Sequence, residues 1–341
     1  MKQIILISLI TLASSIAYSQ IIKGTVYDSE TKTTIPYAAV YFNRTLVGTA
    51  SDDEGNFELN IAKYASKPLT IRAIGYQTFV LESIPKNEAI NIYLSPSVFE
   101  IEEVEVETKN LAKKRKAYLK LFRREFLGTS RNRKLCEIIN EEDITFNYGL
   151  DKDTVKAYAR KPIKIVNGAL GYVITYHLDK FEYDNDKKVV YFAGDIVFNE
   201  DLAAKATSDL SYSERRESAY LGSCMHFIRA LWNNSLKMNG FMISRYTFDV
   251  SSLGFPLSSM PNANVTYDDI VVLDNNHNKY LFNEKELSIH YGSMYSKMYF
   301  LKSKVLMGKN GFFDPSGFRW YGDMAKLRIA DMLPYEYTLG E

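Results

Sequence analysis

Short runs of alternating hydrophobic and polar residues fill the first third of the chain, a pattern that predicts half-buried β-strands. The runs are IIKGTVYD, YAAVYFN, NFELNI and AINIYLS, and LTIRAIGYQTFVL predicts two further strands around Gly75. Glycine, proline and aspartate separate the runs and supply turns between them. Strands at this spacing are typical of a β-sandwich, which we predict over residues 20–107.

The pattern of residues 135–341 is mixed. Long alternating stretches on either side of residues 184–186 predict a pair of antiparallel strands joined by a turn. Hydrophobic residues at helical spacing predict a helix over residues 213–239, ended by Gly240, and a second helix over residues 320–332. We therefore expect a mainly β chain whose second part is an α+β domain with an antiparallel sheet and one or two helices.

The segment SDDEGNF, residues 51–57, places three acidic residues before a glycine, as calcium-binding loops do. An EF-hand loop needs oxygen ligands at its first and twelfth positions and a glycine at its sixth. With Gly55 at the sixth position, those places fall on Ala50 and Ile61, which have no side-chain oxygen. The EF-hand pattern fails, and aspartate and glycine instead predict a turn between two strands.

Several residues of this region together resemble the carboxypeptidase regulatory-like domain. They are Gly24, Val26, Asp28, Pro36, Ala39 and Val40, followed by TASDDEGNF and IGYQ. The resemblance covers residues 20–107 and implies a prealbumin-like sandwich in which SDDEGNF is a strand–turn–strand. The following FEIEEVEVE resembles the end of this domain in TonB-dependent receptors, although no plug-like segment follows it here. The segments YLGSCMHFIRAL and RIADMLPYEY resemble segments of envelope proteins that carry the same domain. This resemblance implies a location in the cell envelope but does not indicate any activity.

The histidines do not support peptidase chemistry. A zinc carboxypeptidase needs an H-x-x-E pair, and many other zinc peptidases need H-E-x-x-H. The histidines, His177, His226, His277 and His290, are followed by LDK, FIR, NKY and YGS, so neither motif is present. The regulatory-like domain is an accessory module in its family and implies no active site. We expect no metal, no cofactor, no catalytic residue and a protein that is not an enzyme.

Two small polar constellations remain as candidates. Ser223 and His226 lie three residues apart in a predicted helix, which would place them on one side and allow a cryptic hydrolase. LGSCM lacks the G-x-S-x-G pattern of a nucleophile elbow, so a packing serine and a hydrogen-bonded histidine are favoured. His277 follows Asp274 and two asparagines that could hold a cation, but a polar hairpin turn is favoured.

Residues 109–134 are rich in lysine and arginine, and Glu125 is their only acid. The apolar side chains that fall on one face of a predicted helix are Tyr118, Leu119, Phe122 and Phe126, and Gly128 ends it. Such a helix can lie on an anionic membrane surface through Lys113, Lys114, Arg115 and Lys116. The favoured interpretation is a helix or linker over residues 108–134 that packs its narrow apolar stripe on the second domain.

Residues 1–19 predict a secretory signal, with a lysine near the start, an apolar run too short to span a membrane and AYS before Gln20. The mature chain would lie in the periplasm or at the periplasmic face of the outer membrane. The net charge of +1 provides no general attraction to nucleic acid. Cys136 and Cys224 are compatible with one disulfide or with two buried thiols.

These observations favour a non-catalytic binding or scaffolding role at the outer membrane of a Gram-negative cell. Two alternatives stay open: a glycan- or peptide-binding module, favoured by the 25 tyrosines, and the hydrolase at Ser223 and His226. A cluster of exposed tyrosines would favour the first alternative. An acid within reach of the serine and histidine would favour the second. The expected partner is an envelope protein or a glycan or peptide, and not nucleic acid.

Overall fold

The computed structural model describes residues 20–65, 67–85, 89–97, 108–147, 153–200, 210–245, 262–282 and 286–340. The chain divides into two compact units, residues 1–103 and residues 104–341. The predicted signal sequence and the FEIEEVEVE segment lie outside the described residues. No helix in the described ranges is long and apolar enough to cross a membrane.

The first unit is built from short strands: β1 (Ile21–Asp28), β2 (Ala39–Tyr41), β3 (Gly48–Ala50), β4 (Asn56–Asn60), β5 (Leu69–Arg72), β6 (Phe79–Leu81) and β7 (Ile90–Leu94). One sheet has the order β4–β1–β7, in which β1 is antiparallel to β4 and parallel to β7. The other sheet is antiparallel and has the order β3–β2–β5–β6. The two predicted strands around Gly75 are β5 and β6.

Alternation explains how these strands build a core. In β4, Phe57 and Leu59 are buried while Glu58 between them is exposed. The buried side chains of both sheets form one hydrophobic cluster that includes Val26, Val40, Leu69, Ile71 and Ile92. The predicted β-sandwich is therefore confirmed.

The strands of the second unit are longer and more numerous. They are β8 (Cys136–Ile138), β9 (Ile144–Phe146), β10 (Thr154–Ala159), β11 (Ile163–Asn167), β12 (Tyr172–Asp184), β13 (Val189–Asn199), β14 (Phe241–Arg245), β15 (Asn262–Asn264), β16 (Val271–Leu273), β17 (Lys279–Phe282), β18 (Glu286–Tyr291), β19 (Met294–Phe300), β20 (Lys304–Met307) and β21 (Phe318–Gly322). Strands β12 and β13 are the predicted pair, and Asp184 accepts the backbone N–H groups of Asp186 and Lys187 in the turn between them.

Three sheets organise these strands, and every described pairing is antiparallel. The first has the order β8–β11–β12–β10–β9, with β13 along the other edge of β12. The second has the order β15–β14–β18–β19–β21, and the third has the order β16–β17–β20. A hydrophobic cluster that includes Phe227, Leu231, Leu287, Ile289 and Met298 packs an adjacent helix against the last two sheets. The predicted α+β character of this part is confirmed.

The described helices are α1 (Thr108–Leu127), α2 (Leu210–Tyr220) and α3 (Cys224–Trp232). The prediction of a single helix over residues 213–239 is wrong, because a turn between Tyr220 and Cys224 separates α2 from α3. Gly222 has a φ of +75°, a left-handed conformation that ends α2, and a Cβ there would lie 2.8 Å from Met294. Ser223 then begins a new helix as its N-cap.

The helix predicted over residues 320–332 is also wrong. Trp320 belongs to β21, where it pairs with Met298 of β19. Gly322 ends the strand at a φ of +80°, and two short 3-10 turns, Met324–Lys326 and Ile329–Asp331, follow it. The hydrophobic residues of one strand and two separate turns are therefore spaced along the sequence like the residues of one helical face.

Candidate interaction surface

Ser223 and His226 are near each other but do not form a nucleophile and base. The serine Oγ accepts the backbone N–H of His226 at 3.1 Å, as an N-cap does. The imidazole Nδ1 accepts the backbone N–H of Gly222 at 3.1 Å, so Nε2 carries the proton and donates to Oδ1 of Asn239 at 3.1 Å. Both ring nitrogens are therefore committed to amide groups, so His226 is not available to Ser223 as a general base.

The surroundings of His226 fit a structural role. The side chain is 4% exposed and its ring lies 4.8 Å from that of Tyr220 and from that of Phe241. Burial lowers the pKa of His226, the hydrogen bond that its Nε2 donates to Asn239 opposes this, and the charge of Arg229 lowers it further. A neutral, packed imidazole stabilises the junction between α3 and the following loop.

The two aspartate-rich loops have the same geometry. In each, the aspartate Oδ1 accepts the backbone N–H groups two and four residues later, at 3.1 and 2.7 Å for Asp52 and at 2.9 Å for both contacts of Asp274. The third residue after each aspartate is left-handed: Gly55 at a φ of +81° and His277 at a φ of +61°. These carboxylates therefore stabilise the backbone of their own turns, which is the turn interpretation favoured for both loops.

The other candidate ligands lie apart. His177 is buried in β12, and the ring of His290 in β18 packs 5.0 Å from that of Tyr295. Within the described ranges, no three histidine, cysteine, aspartate or glutamate side chains are grouped closely enough to hold a metal ion. Neither Cys136 nor Cys224 is in a disulfide. Burial, with the charge of Asp331, raises the pKa of the Cys136 thiol to about 12.

The aromatic face of α1 is buried in the second unit. Phe122 and Phe126 are each 0% exposed, and their rings stack 4.8 Å apart. Phe122 also lies 4.7 Å from Phe181, and Phe126 lies 4.9 Å from Tyr176, both on β12. The interpretation of α1 as a helix packed on the second domain is confirmed at these positions.

Polar contacts fix α1 on both flanks. The Arg115 guanidinium donates to the carbonyl oxygens of Ile144 at 2.7 Å and Glu141 at 2.9 Å. Arg123 pairs with the carboxylate of Glu141. Arg328 pairs with the buried carboxylate of Glu125 at 2.7 Å and also donates to its backbone carbonyl. Arg115 therefore differs from the three lysines that the sequence groups with it, because its charge is directed to backbone carbonyls.

The opposite face of α1 carries exposed lysines. We call Lys113, Lys116 and Lys120 the lysine face; Lys114 is also exposed but lies about 100° around the helix from Lys113. None of them makes an ion pair with any residue of the described ranges, in contrast to Arg123 and Arg124 on the same helix. Lys113, Lys116 and Lys120 are spaced three and four apart, so they lie on one side of the helix. The same spacing in the sequence groups Lys120 with Lys113 and Lys116.

A second exposed surface lies on the sheet that contains β19 and β21. Side chains two apart in a strand share a face, as do those directly opposite each other on neighbouring strands. Tyr299 is 46% exposed and Tyr321 is 38% exposed, and their rings meet edge to face at 5.5 Å. Lys297 lies directly opposite Tyr321 on the neighbouring strand and pairs with Glu286 at 3.2 Å. We call Tyr299, Tyr321 and Lys297 the tyrosine face; Tyr321 is too far from the other two in sequence to be grouped with them without the strand register.

A comparison with known protein families finds a match in the first unit. Residues 22–106 match a known family, and this region contains the strand–turn–strand at Asp52 and the sheets described above. The first unit contains a CarboxypepD_reg-like domain. The boundaries of the CarboxypepD_reg-like domain differ by two residues at the start and one at the end from those of the resemblance found in the sequence. A search of curated proteins gave no match for the chain.

Proposed function

We propose that the protein is a non-catalytic binding or scaffolding component at the periplasmic side of the outer membrane. The observation that carries this proposal is the pairing of a fixed helix with an exposed lysine face. Phe122, Phe126 and Glu125 hold α1 to the second unit, and the lysines have no counter-charge in the described ranges. The predicted export signal and the accessory character of the domain that residues 22–106 match support an envelope location.

Export and location are tested with the tagged full chain in Gram-negative cells. We expect processing near Gln20, recovery with the envelope fraction, and access to protease only after the outer membrane is opened. N-terminal sequencing and fractionation measure these outcomes. An unprocessed chain that stays with the cytoplasm would contradict the proposal.

The absence of catalysis is tested at Ser223. A fluorophosphonate probe labels serines that a base activates. We expect no labelling, because the ring nitrogens of His226 are bound to Gly222 and Asn239. Labelling that Ser223→Ala removes and that the matched control Ser235→Ala retains would instead establish the hydrolase.

The tyrosine face favours a second candidate function, the binding of a glycan or peptide. Exposed tyrosine rings offer apolar surface with a polar end, which suits sugar rings and peptide side chains. The double change of Tyr299 and Tyr321 to alanine would then abolish binding of soluble peptidoglycan fragments in calorimetry. A matched control replaces Tyr158 and Tyr191, which are similarly exposed on other strands. Equal binding by both double variants would eliminate the tyrosine face as the site.

A further inference from the structure

We infer that the lysine face of α1 binds the phosphate headgroups of an anionic lipid surface, without inserting into it. This inference rests on the proposed envelope function and specifies its partner. The occupant is a bilayer surface, and the binding groups are Lys113, Lys116 and Lys120.

The lysine face belongs to a rigid helix. On its inner side, Tyr118 lies 5.8 Å from Phe146, and Phe122 and Phe126 are fully buried. On its flanks, Arg115 and Glu125 are tied to segments outside the helix. The lysines are therefore presented in a fixed arrangement, so that several of them can engage one surface together.

The charges of this face are not balanced by the described part of the protein. The helix carries one acid, Glu125, which is buried and paired with Arg124 and Arg328. Like charges three and four residues apart repel each other on a helix. From Lys113 to Lys120 the face extends about 10 Å along the axis, at 1.5 Å per residue. A surface with many negative charges relieves this repulsion, whereas a single small anion reaches only part of it.

The chemistry of the outer face favours headgroups and excludes insertion. Ala112 and Ala117 are the exposed apolar residues among the lysines, and neither is large enough to anchor in the acyl region. The aromatic residues that an inserting helix would offer face the opposite way and are buried. For the same reason the face has no rings on which bases of a single-stranded nucleic acid could stack. Attraction is therefore electrostatic and sensitive to salt.

Vesicle flotation with the full mature chain tests this inference. We expect binding to vesicles of phosphatidylcholine with phosphatidylglycerol and none to phosphatidylcholine alone. Binding should disappear at about 1 M salt, where the screening length is roughly 3 Å. The triple variant Lys113→Gln, Lys116→Gln, Lys120→Gln should bind the anionic vesicles at least about tenfold more weakly.

A matched control separates the lysine face from overall charge. It replaces Lys164, Lys237 and Lys309 with glutamine, which removes the same charge from exposed positions on other elements. The control should bind as the unchanged chain does. Equal losses in the two triple variants would overturn the inference, as would binding to neutral vesicles that salt does not release. Circular dichroism and melting confirm that both variants fold, since all six side chains are exposed.

The experiment also distinguishes this inference from the proposed function. If the chain is recovered with the envelope but does not bind anionic vesicles, the headgroup inference is overturned and the envelope role stands. If that recovery is lost in the lysine-face variant but vesicles are not bound, the partner is an acidic macromolecule and not a lipid. If vesicles are bound through the lysine face but the chain is not exported, the envelope role fails while the headgroup inference stands.

Discussion

The two units use polar side chains at different distances along the chain. In the first unit, aspartates act mainly within their own turns: Asp28 Oδ1 accepts the backbone N–H groups of Glu30 at 2.7 Å and Thr31 at 2.9 Å, and Asp52 acts in the same way. The more distant contact of Asp28, from the Tyr76 hydroxyl at 2.9 Å, spans 48 residues. The second unit contains such turns and adds arginines that reach remote segments. Arg229 donates to the carbonyl oxygens of Asn310, Tyr335 and Tyr337 at 3.0, 3.1 and 2.7 Å.

This difference predicts how far the effect of losing one side chain should extend through the structure. A turn that its own aspartate stabilises depends on a few neighbouring residues, so its loss acts locally. A guanidinium that joins α3 to carbonyl oxygens 81 to 108 residues further along the chain holds distant segments together, so its loss loosens a whole region. Both tryptophans, Trp232 and Trp320, lie in the second unit, and their fluorescence therefore reports that unit alone.

The largest expected effect is in the core of the first unit. Leu69 is fully buried, and Leu69→Ala should lower the stability of that unit by about 3 kcal/mol through lost burial and a cavity. Hydrogen exchange in β1, β2 and β5 should quicken, while the tryptophan melting transition stays in place. A parallel shift of the tryptophan transition would show that the units unfold as one.

Removal of the Arg229 guanidinium should act on the second unit. Arg229→Met keeps the apolar stem but leaves three carbonyl oxygens without their donor, at an expected loss of about 2–3 kcal/mol. The tryptophan transition should fall while hydrogen exchange in the first unit is unchanged. Arg229→Lys restores the charge but not the planar fork and should recover less than half of the loss. Full recovery by lysine would contradict the importance of the fork.

The turn at Asp52 provides a smaller effect. Gly55→Ala places a Cβ 2.8 Å from the Cβ of Thr34, at a φ of +81° that disfavours any side chain. We expect a loss of about 1–2 kcal/mol, confined to the first unit. Denaturant unfolding followed by circular dichroism measures it, and a neutral result would mean that the turn can relax.

The stability of the second unit should depend on pH through Asp331. Burial raises the pKa of this carboxyl above its ordinary value of 3.8, although the hydrogen bond from Asn132 at 2.9 Å opposes the shift. The folded state therefore holds the proton more tightly, and this contribution to stability is lost as the pH rises through the folded pKa. Asp331→Asn should melt like the unchanged chain at acid pH and higher than it at neutral pH. A difference that stays constant with pH would contradict the assignment.

The smallest expected effect is an increase in the stability of the second unit. His277 occupies the left-handed place that Gly55 occupies in the equivalent turn. His277→Gly should stabilise the second unit by about 0.5–1 kcal/mol, because glycine adopts this conformation without steric cost. The tryptophan transition should rise slightly. A fall would mean that the histidine side chain has a stabilising contact that outweighs the strain.

The distinction between local and remote contacts also explains which features could be predicted from the sequence. The sandwich and the inward aromatics of α1 follow from spacing within single elements, so alternation and helical periodicity were sufficient. The break at Gly222 and the strand at Trp320 depend on packing against Tyr291 and pairing with Met298, which lie elsewhere in the chain. Arg229 shows the limit most clearly, because its acceptors lie 81 to 108 residues away and are backbone carbonyls, which any residue carries.

The parallel pairing of β1 with β7 has a mechanical consequence. These two strands lie next to the two ends of the sandwich, and Gly24 faces Ile90 while Asp28 faces Leu94. The chain therefore enters at one end of the strand pair and leaves at the other. A pull between these ends loads the hydrogen bonds of the pair in shear, so they resist together and do not open one at a time. The strand pair therefore gives the CarboxypepD_reg-like domain resistance to tension applied along its chain.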